Sequence, residues 1–330
     1  MIKNITVIGA GTMGHGIAET FALHGYKVNI YEVNEEVRHS APKIIREELS
    51  FMAENELIND EDIKRTLENI DFFDDLKQAS KNADYVIEAT PEILELKRKI
   101  FAELDMYCKK ETIFASNTSS LALNEMIEFL PEERQKRSMV CHWYNPAHLM
   151  PIAELSLFGN MDEETFCEVK DLYENAGKQV VRVLKDVPGL VANRIQQGVA
   201  REVFSLIEKG IALPEDIDKA LKFGPAFRYA TTGQLEVADM GGLDIWATVG
   251  DNLLKVMDNS QKASPILWEK VKEGKLGIKT GEGFFSYPEE KIQDIKNEFN
   301  KRLITQLKAS KKYISVTHYT ENELSCNRLY

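Results

Sequence analysis

The stretch Cys141-His142-Trp143-Tyr144-Asn145-Pro146 sets a histidine near an amide, and a carboxylate, Glu154, follows His142 by twelve residues. These are the parts of an oriented general base. Histidine titrates near neutrality and can take a hydroxyl proton, provided a partner on its second nitrogen fixes the tautomer. The Asn145-Pro146 turn is expected to bring the chain back, so that Glu154 on the following strand supplies that partner. By spacing alone, His142 is more often a core or strand-end histidine and Glu154 a solvent-facing carboxylate. His15 and His148 compete for the role of base. His15 reads as a packing or surface residue. His148 lies near the site in sequence but shows no evident paired carboxylate.

A second motif gives the first its context. The apolar run Ile5-Thr6-Val7-Ile8 leads into Gly9-Ala10-Gly11-Thr12-Met13-Gly14. A G-x-G-x-x-G loop that follows a strand and opens a helix is the setting in which these glycines bind a dinucleotide pyrophosphate. Gly9, Gly11, Thr12, Met13 and Gly14 are the candidate cofactor residues of the loop. Glu32, at the end of the next strand, is placed to accept both ribose hydroxyls of adenosine and to repel a 2′-phosphate, which favours NAD over NADP. The competing reading is a tight turn beside a solvated glutamate. A redox cofactor site and a base on one chain point to an alcohol dehydrogenase.

The elements that must position these residues alternate. Strands are expected at 5–8, 27–31, 69–73, 84–89, 113–116, 139–143 and 152–157, with helices at 14–25, 35–55, 60–68, 74–81 and 92–109. That alternation predicts an α/β, Rossmann-like, doubly wound parallel sheet. Beyond about residue 186 strand signals vanish and helical periodicity takes over, at 189–210, 213–222, 234–258, 263–273 and 289–310. The chain therefore divides into an NAD-binding domain over 1–186 and an all-helical domain over 187–330, with a C-terminal extension from about 289. Lys185-Asp186-Val187-Pro188-Gly189 is the expected hinge, and the last twenty residues are expected to fray.

With 330 residues, two domains are expected. A net charge of −12 argues against nucleic-acid binding, although a local loop can still hold an anionic cofactor. No apolar run approaches a membrane span, and no signal peptide is expected before the first strand. Cys108, Cys141, Cys167 and Cys326 make neither C-x-x-C nor a zinc spacing, so no metal is expected and a reduced, cytoplasmic setting is the simple reading.

Seven ordered blocks carry a resemblance over most of the chain: Val7–Gly16, Val86–Ala89 with Glu92 and Lys97, Ala115–Ser120, His142–Glu154, Pro188–Arg194, Gly241–Asp244 and Lys279–Phe285. The chain resembles the L-3-hydroxyacyl-CoA dehydrogenase family. The resemblance implies that His142 is the catalytic base and Glu154 its orienting partner. It also implies that Ser119 and Asn193 hydrogen-bond the substrate oxygen, that Asn145 helps hold the site, and that Glu92, Lys97 and Asn117 contact the nicotinamide half of NAD. It further implies a small-molecule substrate, an acyl-CoA such as 3-hydroxybutyryl-CoA, and a homodimer formed through the helical domain. Other segments are similar to relatives acting on free acids. Arg228-Tyr229, Gly233-Gln234-Leu235-Glu236-Val237 and Val181–Lys185 resemble the L-gulonate 3-dehydrogenase and lambda-crystallin branch. A dehydrogenase of a free 3-hydroxy acid (gulonate or carnitine) and a non-catalytic NAD-binding protein thus stay open as alternatives.

Overall fold

The structure is a computed structural model and describes residues 2–312. The chain forms two compact units, one running to Val191 and one starting at Ala192. The first is built on an eight-stranded sheet in the order β3-β2-β1-β4-β5-β6-β7-β8. β1 (Asn4–Ile8) is flanked by β2 (Lys27–Tyr31) and β4 (Tyr85–Glu88), and β3 (Ile70–Phe73) forms one edge. β5 (Ile113–Ser116), β6 (Ser138–Trp143), β7 (Ile152–Ser156) and β8 (Gln179–Val183) complete the other side. Strand order reverses at β1 and β4, the crevice where such sheets bind ligands at their carboxyl ends.

Both faces of the sheet are covered, so its strands are apolar on both sides. Strand alternation sends Val7, Tyr85 and Ile87 to one face, against Ile17 and Phe21 of α1 (Gly14–Leu23) and Ile45 and Leu49 of α2 (Glu35–Glu54). Ile8, Val86 and Phe114 go to the other face, against Ile100, Phe101 and Leu104. Those three belong to α5 (Leu94–Tyr107), which follows α3 (Asp60–Leu67) and α4 (Leu76–Ser80). α2 starts where Asn34 caps it, its side chain accepting from Val37 N at 3.1 Å. After α6 (Leu123–Ile127) and α7 (Glu132–Gln135), α8 (Glu163–Asn175) is capped in the same way by Asp162, which accepts from Thr165 N.

The sheet is not wholly parallel. β7 runs antiparallel to β6, with His142 directly opposite Glu154, and β8, which the periodicity did not signal, returns parallel to β7. The second unit is helical: α9 (Ala192–Glu208), α10 (Pro214–Phe223), α11 (Pro225–Tyr229), α12 (Gln234–Gly241), α13 (Leu243–Leu253), α14 (Pro265–Lys272) and α15 (Ile292–Ser310). The expected helix over 234–258 is two helices. Gly242 sits at φ +92, a left-handed conformation that ends α12 and restarts the chain as α13. Within this unit Phe204 stacks on Phe284 at 5.7 Å, and a mostly apolar cavity of about 750 Å³ lies between α9, α14 and the glycine-rich loop over 276–287. The expected fraying of the last twenty residues falls almost wholly outside the described residues. Among the described residues no helix is long and apolar enough to cross a membrane.

Candidate active site

The glycine loop closes against itself at the carboxyl end of β1. A Cβ on Gly14 would lie 1.8 Å from the Gly9 carbonyl oxygen, so only glycine lets α1 start this close to the loop. Gly11 faces open space, which leaves room for a phosphate to approach the backbone. Glu32 is fastened beside the loop. Its Oε2 accepts from Ala10 N at 2.9 Å and its Oε1 from Asn34 N at 2.8 Å. Each oxygen keeps a lone pair for a ribose hydroxyl. Arg38 is turned inward onto the Glu32 carbonyl at 2.8 Å and towards Asp74 at 3.5 Å. Glycines that admit the pyrophosphate and a strand-end carboxylate for the ribose fit NAD.

At the ends of β4 and β5 the chain builds a buried polar knot. Glu88 is fully buried and accepts from Lys97 Nζ at 2.8 Å on both oxygens, from Thr90 N and Oγ1, and from Ser116 Oγ at 2.6 Å. Lys97 is 1 % exposed and reaches Glu92 Oε2 at 3.3 Å. Its ammonium is thus spent inside the protein, and it acts on Glu92 instead of presenting charge to solvent. Glu92 Oε1 accepts from the hydroxyls of Thr118 and Ser120 and from the backbone N–H groups of Ser119 and Ser120. Burial would raise the Glu92 carboxyl, but these hydroxyls and Lys97 outweigh it and hold it below the ordinary carboxylate range. Asn117 Oδ1 accepts from Trp143 N at 2.8 Å and ties the end of β5 to the end of β6.

His142 and Glu154 are brought together by the antiparallel ladder. His142 Nδ1 lies 2.8 Å from Glu154 Oε2, and the two side chains are 8 % and 0 % exposed. The second carboxylate oxygen accepts from Val191 N at 2.9 Å, a backbone donor with no side-chain signature in the sequence. A carboxylate facing Nδ1 makes that nitrogen the donor, so Nε2 keeps its lone pair and can take a proton. The ring of Tyr144 meets His142 edge-on at 5.3 Å, and burial, reinforced by the Glu154 charge, pushes its phenol up to about 12. Asn145, exposed, precedes Pro146 through a cis bond. Ser119 is half-buried, and its carbonyl accepts from Gly189 N at 3.1 Å. Asn193 belongs to the second unit, on the first turn of α9.

Neighbouring groups exclude other chemistries. Trp143 points to the opposite face from His142, into Phe21 and Tyr173, and its indole N–H donates to Tyr173 Oη at 3.0 Å. Cys141 is fully buried, and burial pushes its thiol up to about 12, so it is no thiolate nucleophile beside His142. His148 does have a carboxylate near it, Glu48 of α2, 3.7 Å from Nδ1.

The profile of the NAD-binding domain of 3-hydroxyacyl-CoA dehydrogenase matches residues 4–187, and that of the C-terminal domain matches residues 189–287. The chain is 33% identical over 309 residues to the 5-formyl-3-hydroxy-2-methylpyridine 4-carboxylate 5-dehydrogenase of Mesorhizobium japonicum, covering 92% of this chain and 97% of that one. It is 35% identical to the mitochondrial hydroxyacyl-coenzyme A dehydrogenase of Rattus norvegicus, covering 87% and 92%. A crystal structure of a 5-formyl-3-hydroxy-2-methylpyridine 4-carboxylic acid 5-dehydrogenase superposes with a TM-score of 0.86 at 30% identity, covering 94% of this chain and 99% of that one. The (S)-3-hydroxybutyryl-CoA dehydrogenase of Ralstonia eutropha superposes with a TM-score of 0.71 at 29% identity, covering 88% and 100%. The chain belongs to the 3-hydroxyacyl-CoA dehydrogenase family, NAD-dependent oxidoreductases that act on CH–OH groups.

Proposed function

We propose that the chain oxidises the hydroxyl of a short L-3-hydroxyacyl-CoA, such as 3-hydroxybutyryl-CoA, to the 3-keto compound. The observation that carries this reading is the His142–Glu154 pair, buried, 2.8 Å apart and completed by Val191 N. His142 Nε2 takes the hydroxyl proton as the carbonyl forms, and Glu154 stabilises the imidazolium that results. NAD supplies the hydride acceptor. Ser119 and Asn193 donate to the substrate oxygen and Asn145 shapes the site. Glu92, with its charge fixed by Lys97, and Asn117 hold the nicotinamide side. A cytoplasmic homodimer belongs to the same proposal: in the helical unit Ile195, Leu243, Ile245, Leu253 and Leu254 are exposed, an apolar surface that a second copy would cover.

A second reading, a small free carboxylic acid as substrate, is favoured by the superposition at TM-score 0.86 on an enzyme of a pyridine carboxylate. CoA phosphates would draw on Lys43, Arg46, Lys275 and Lys279, and two of these four face glutamates instead. Lys43 faces Glu47 at 3.7 Å, and Lys275 faces Glu273 and Glu282 at 3.2 and 3.0 Å. The test is kcat/KM with NAD for 3-hydroxybutyryl-CoA, free 3-hydroxybutyrate, L-gulonate, carnitine and the pyridine carboxylate. The CoA thioester turned over fastest supports the first reading, and a free acid turned over fastest replaces it with the second. No turnover of any of them favours a non-catalytic NAD-binding protein.

A further inference from the structure

Beneath the glycine loop, α1, α2 and the segment after β6 turn three chemistry-bearing side chains towards one another. Glu19 is fully buried, and no hydrogen-bond donor reaches either of its carboxyl oxygens. Glu48 Oε2 and His148 Nδ1 are likewise buried and unpartnered. One ligand atom from each of Glu19, Glu48 and His148 lies within 4.8 Å of the others. The Lys178 ammonium acts on Glu19 through space, but it donates to the Ala147 and Met150 carbonyls and burial lowers it to about 7, so it gives the carboxylates no hydrogen bond. A buried carboxylate without a donor costs several kcal/mol, so the cluster still calls for a proton or a further cation. A proton shared by the two carboxyls would leave the imidazole unanswered, because 3.7 Å from His148 Nδ1 to Glu48 Oε2 is too long for a hydrogen bond. A cation at the centre satisfies all of these atoms at once.

The geometry points to a divalent transition-metal site formed by Glu19, Glu48 and His148, with zinc the ion its oxygen and nitrogen ligands suit. Bonds of about 2.0–2.2 Å to imidazole and carboxylate set ligand atoms up to roughly 4.4 Å apart, so small side-chain shifts close the site. Two carboxylates neutralise the dication. The surroundings supply what such a site needs. Glu48 Oε1 faces His15 Nε2 at 3.3 Å, and His15 Nδ1 donates to the Gly11 carbonyl at 2.7 Å. Lys178 Nζ donates to the carbonyls of Ala147 and Met150 at 2.7 and 2.8 Å and thereby pins the segment that carries His148. An ion could enter from the side of Glu48, which is 24 % exposed. Sequence spacing could not reveal the site, since its ligands come from three separate elements and none is a cysteine. Through His15 the site is joined to the loop that receives the cofactor.

The test uses the full-length protein stripped with a chelator and reloaded with zinc, manganese or cobalt. The expected result is one zinc retained per chain after gel filtration, a higher Tm on loading, and visible d–d bands with cobalt. Glu19→Gln and His148→Ala should each lose retention and the Tm rise, while NAD should bind more tightly to loaded than to stripped wild type. Retention below a tenth of an equivalent in wild type, or equal retention in both variants, would overturn the assignment. Should either variant fail to fold, the cobalt spectrum of wild type decides: absence of d–d bands rejects the site.

Discussion

His142 and His148 stand six residues apart, and each faces a glutamate, yet their surroundings are opposite. His142 sits on β6 with its partner directly across a β-ladder, and both oxygens of Glu154 are hydrogen-bonded, one by the ring and one by a backbone N–H. His148 sits past the strand, and its partner Glu48 comes from a helix, at a distance that makes no hydrogen bond. A ladder fixes side-chain positions through its register and leaves a carboxylate nothing further to find. Helix packing brings His15 to one oxygen of Glu48 but supplies no donor to the other. The first arrangement orients one proton acceptor. The second leaves ligand atoms waiting for a charge.

The sharpest way to break the comparison is to remove the satisfied histidine. His142→Gln should leave folding and NAD affinity close to wild type while kcat falls by about 10²–10⁴-fold, the usual worth of a general base. Single-turnover kinetics and NAD titration check this, and near-normal turnover would move the base elsewhere. Glu154→Gln comes next. The amide can still meet His142, but it no longer offsets the imidazolium, so kcat should fall by about 10²-fold, within the same general-base range. If kcat drops by less than threefold, Glu154 is a packing residue and the two histidines are more alike than the geometry implies.

This contrast also governs what could be read before the fold was known. The His142–Glu154 pair was legible because a turn and two adjacent strands carry it, so sequence separation and spatial separation agree. Glu48 and His148 are a hundred residues apart, and they meet only because α2 and the segment after β6 both pack against α1. Val191 acts through its N–H, which every residue but proline possesses. Lys97 was expected at the cofactor, but the glutamate at the end of the apolar strand Val86-Ile87-Glu88 captures it. A carboxylate in an all-apolar strand was the available signal. The α12–α13 break escaped because both sides keep helical periodicity, and the left-handed φ of Gly242 is invisible in composition.

A middle case is Glu32, which is half-satisfied: each oxygen takes one backbone donor and keeps a lone pair. Glu32→Ala removes both the ribose acceptor and the repulsion of a 2′-phosphate. The ratio of kcat/KM for NAD to that for NADP should fall by about tenfold, the equivalent of ~1.4 kcal/mol. An unchanged ratio would mean that the carboxylate serves only the loop.

Glu19→Gln sharpens the other side. In chelated protein burial holds the Glu19 carboxyl well above its ordinary value, so it can donate to Glu48 only by keeping a proton, whereas the amide offers that donor at any pH, and one hydrogen bond is worth about 1 kcal/mol net. Urea unfolding should therefore show the variant equal to or more stable than stripped wild type by about that amount, whereas an isosteric change at a satisfied carboxylate costs stability. A loss of more than about 2 kcal/mol, beyond what one such bond is worth, would show that Glu19 is already well served.

The smallest effect is expected at Glu92, a carboxylate that is fully satisfied but 36 % exposed. Despite the upward pull of burial, Thr118, Ser120 and Lys97 hold its folded value below the ordinary one. At a pH between the two values the unfolded chain therefore binds more protons than the folded one, and stability rises with pH there. The contribution is complete above the unfolded value of about 4.3 and is lost as pH falls through the depressed folded value. Solvent screening keeps it small. Glu92→Gln should leave the upper part of the pH–stability curve almost parallel to wild type and make the decline below about pH 4.5 shallower. Asp84 and Asp162, also held low, remain in both proteins, so the difference between the two curves isolates Glu92. Superimposable acid limbs in urea melts would show that the hydroxyls around Glu92 position it without favouring its charge.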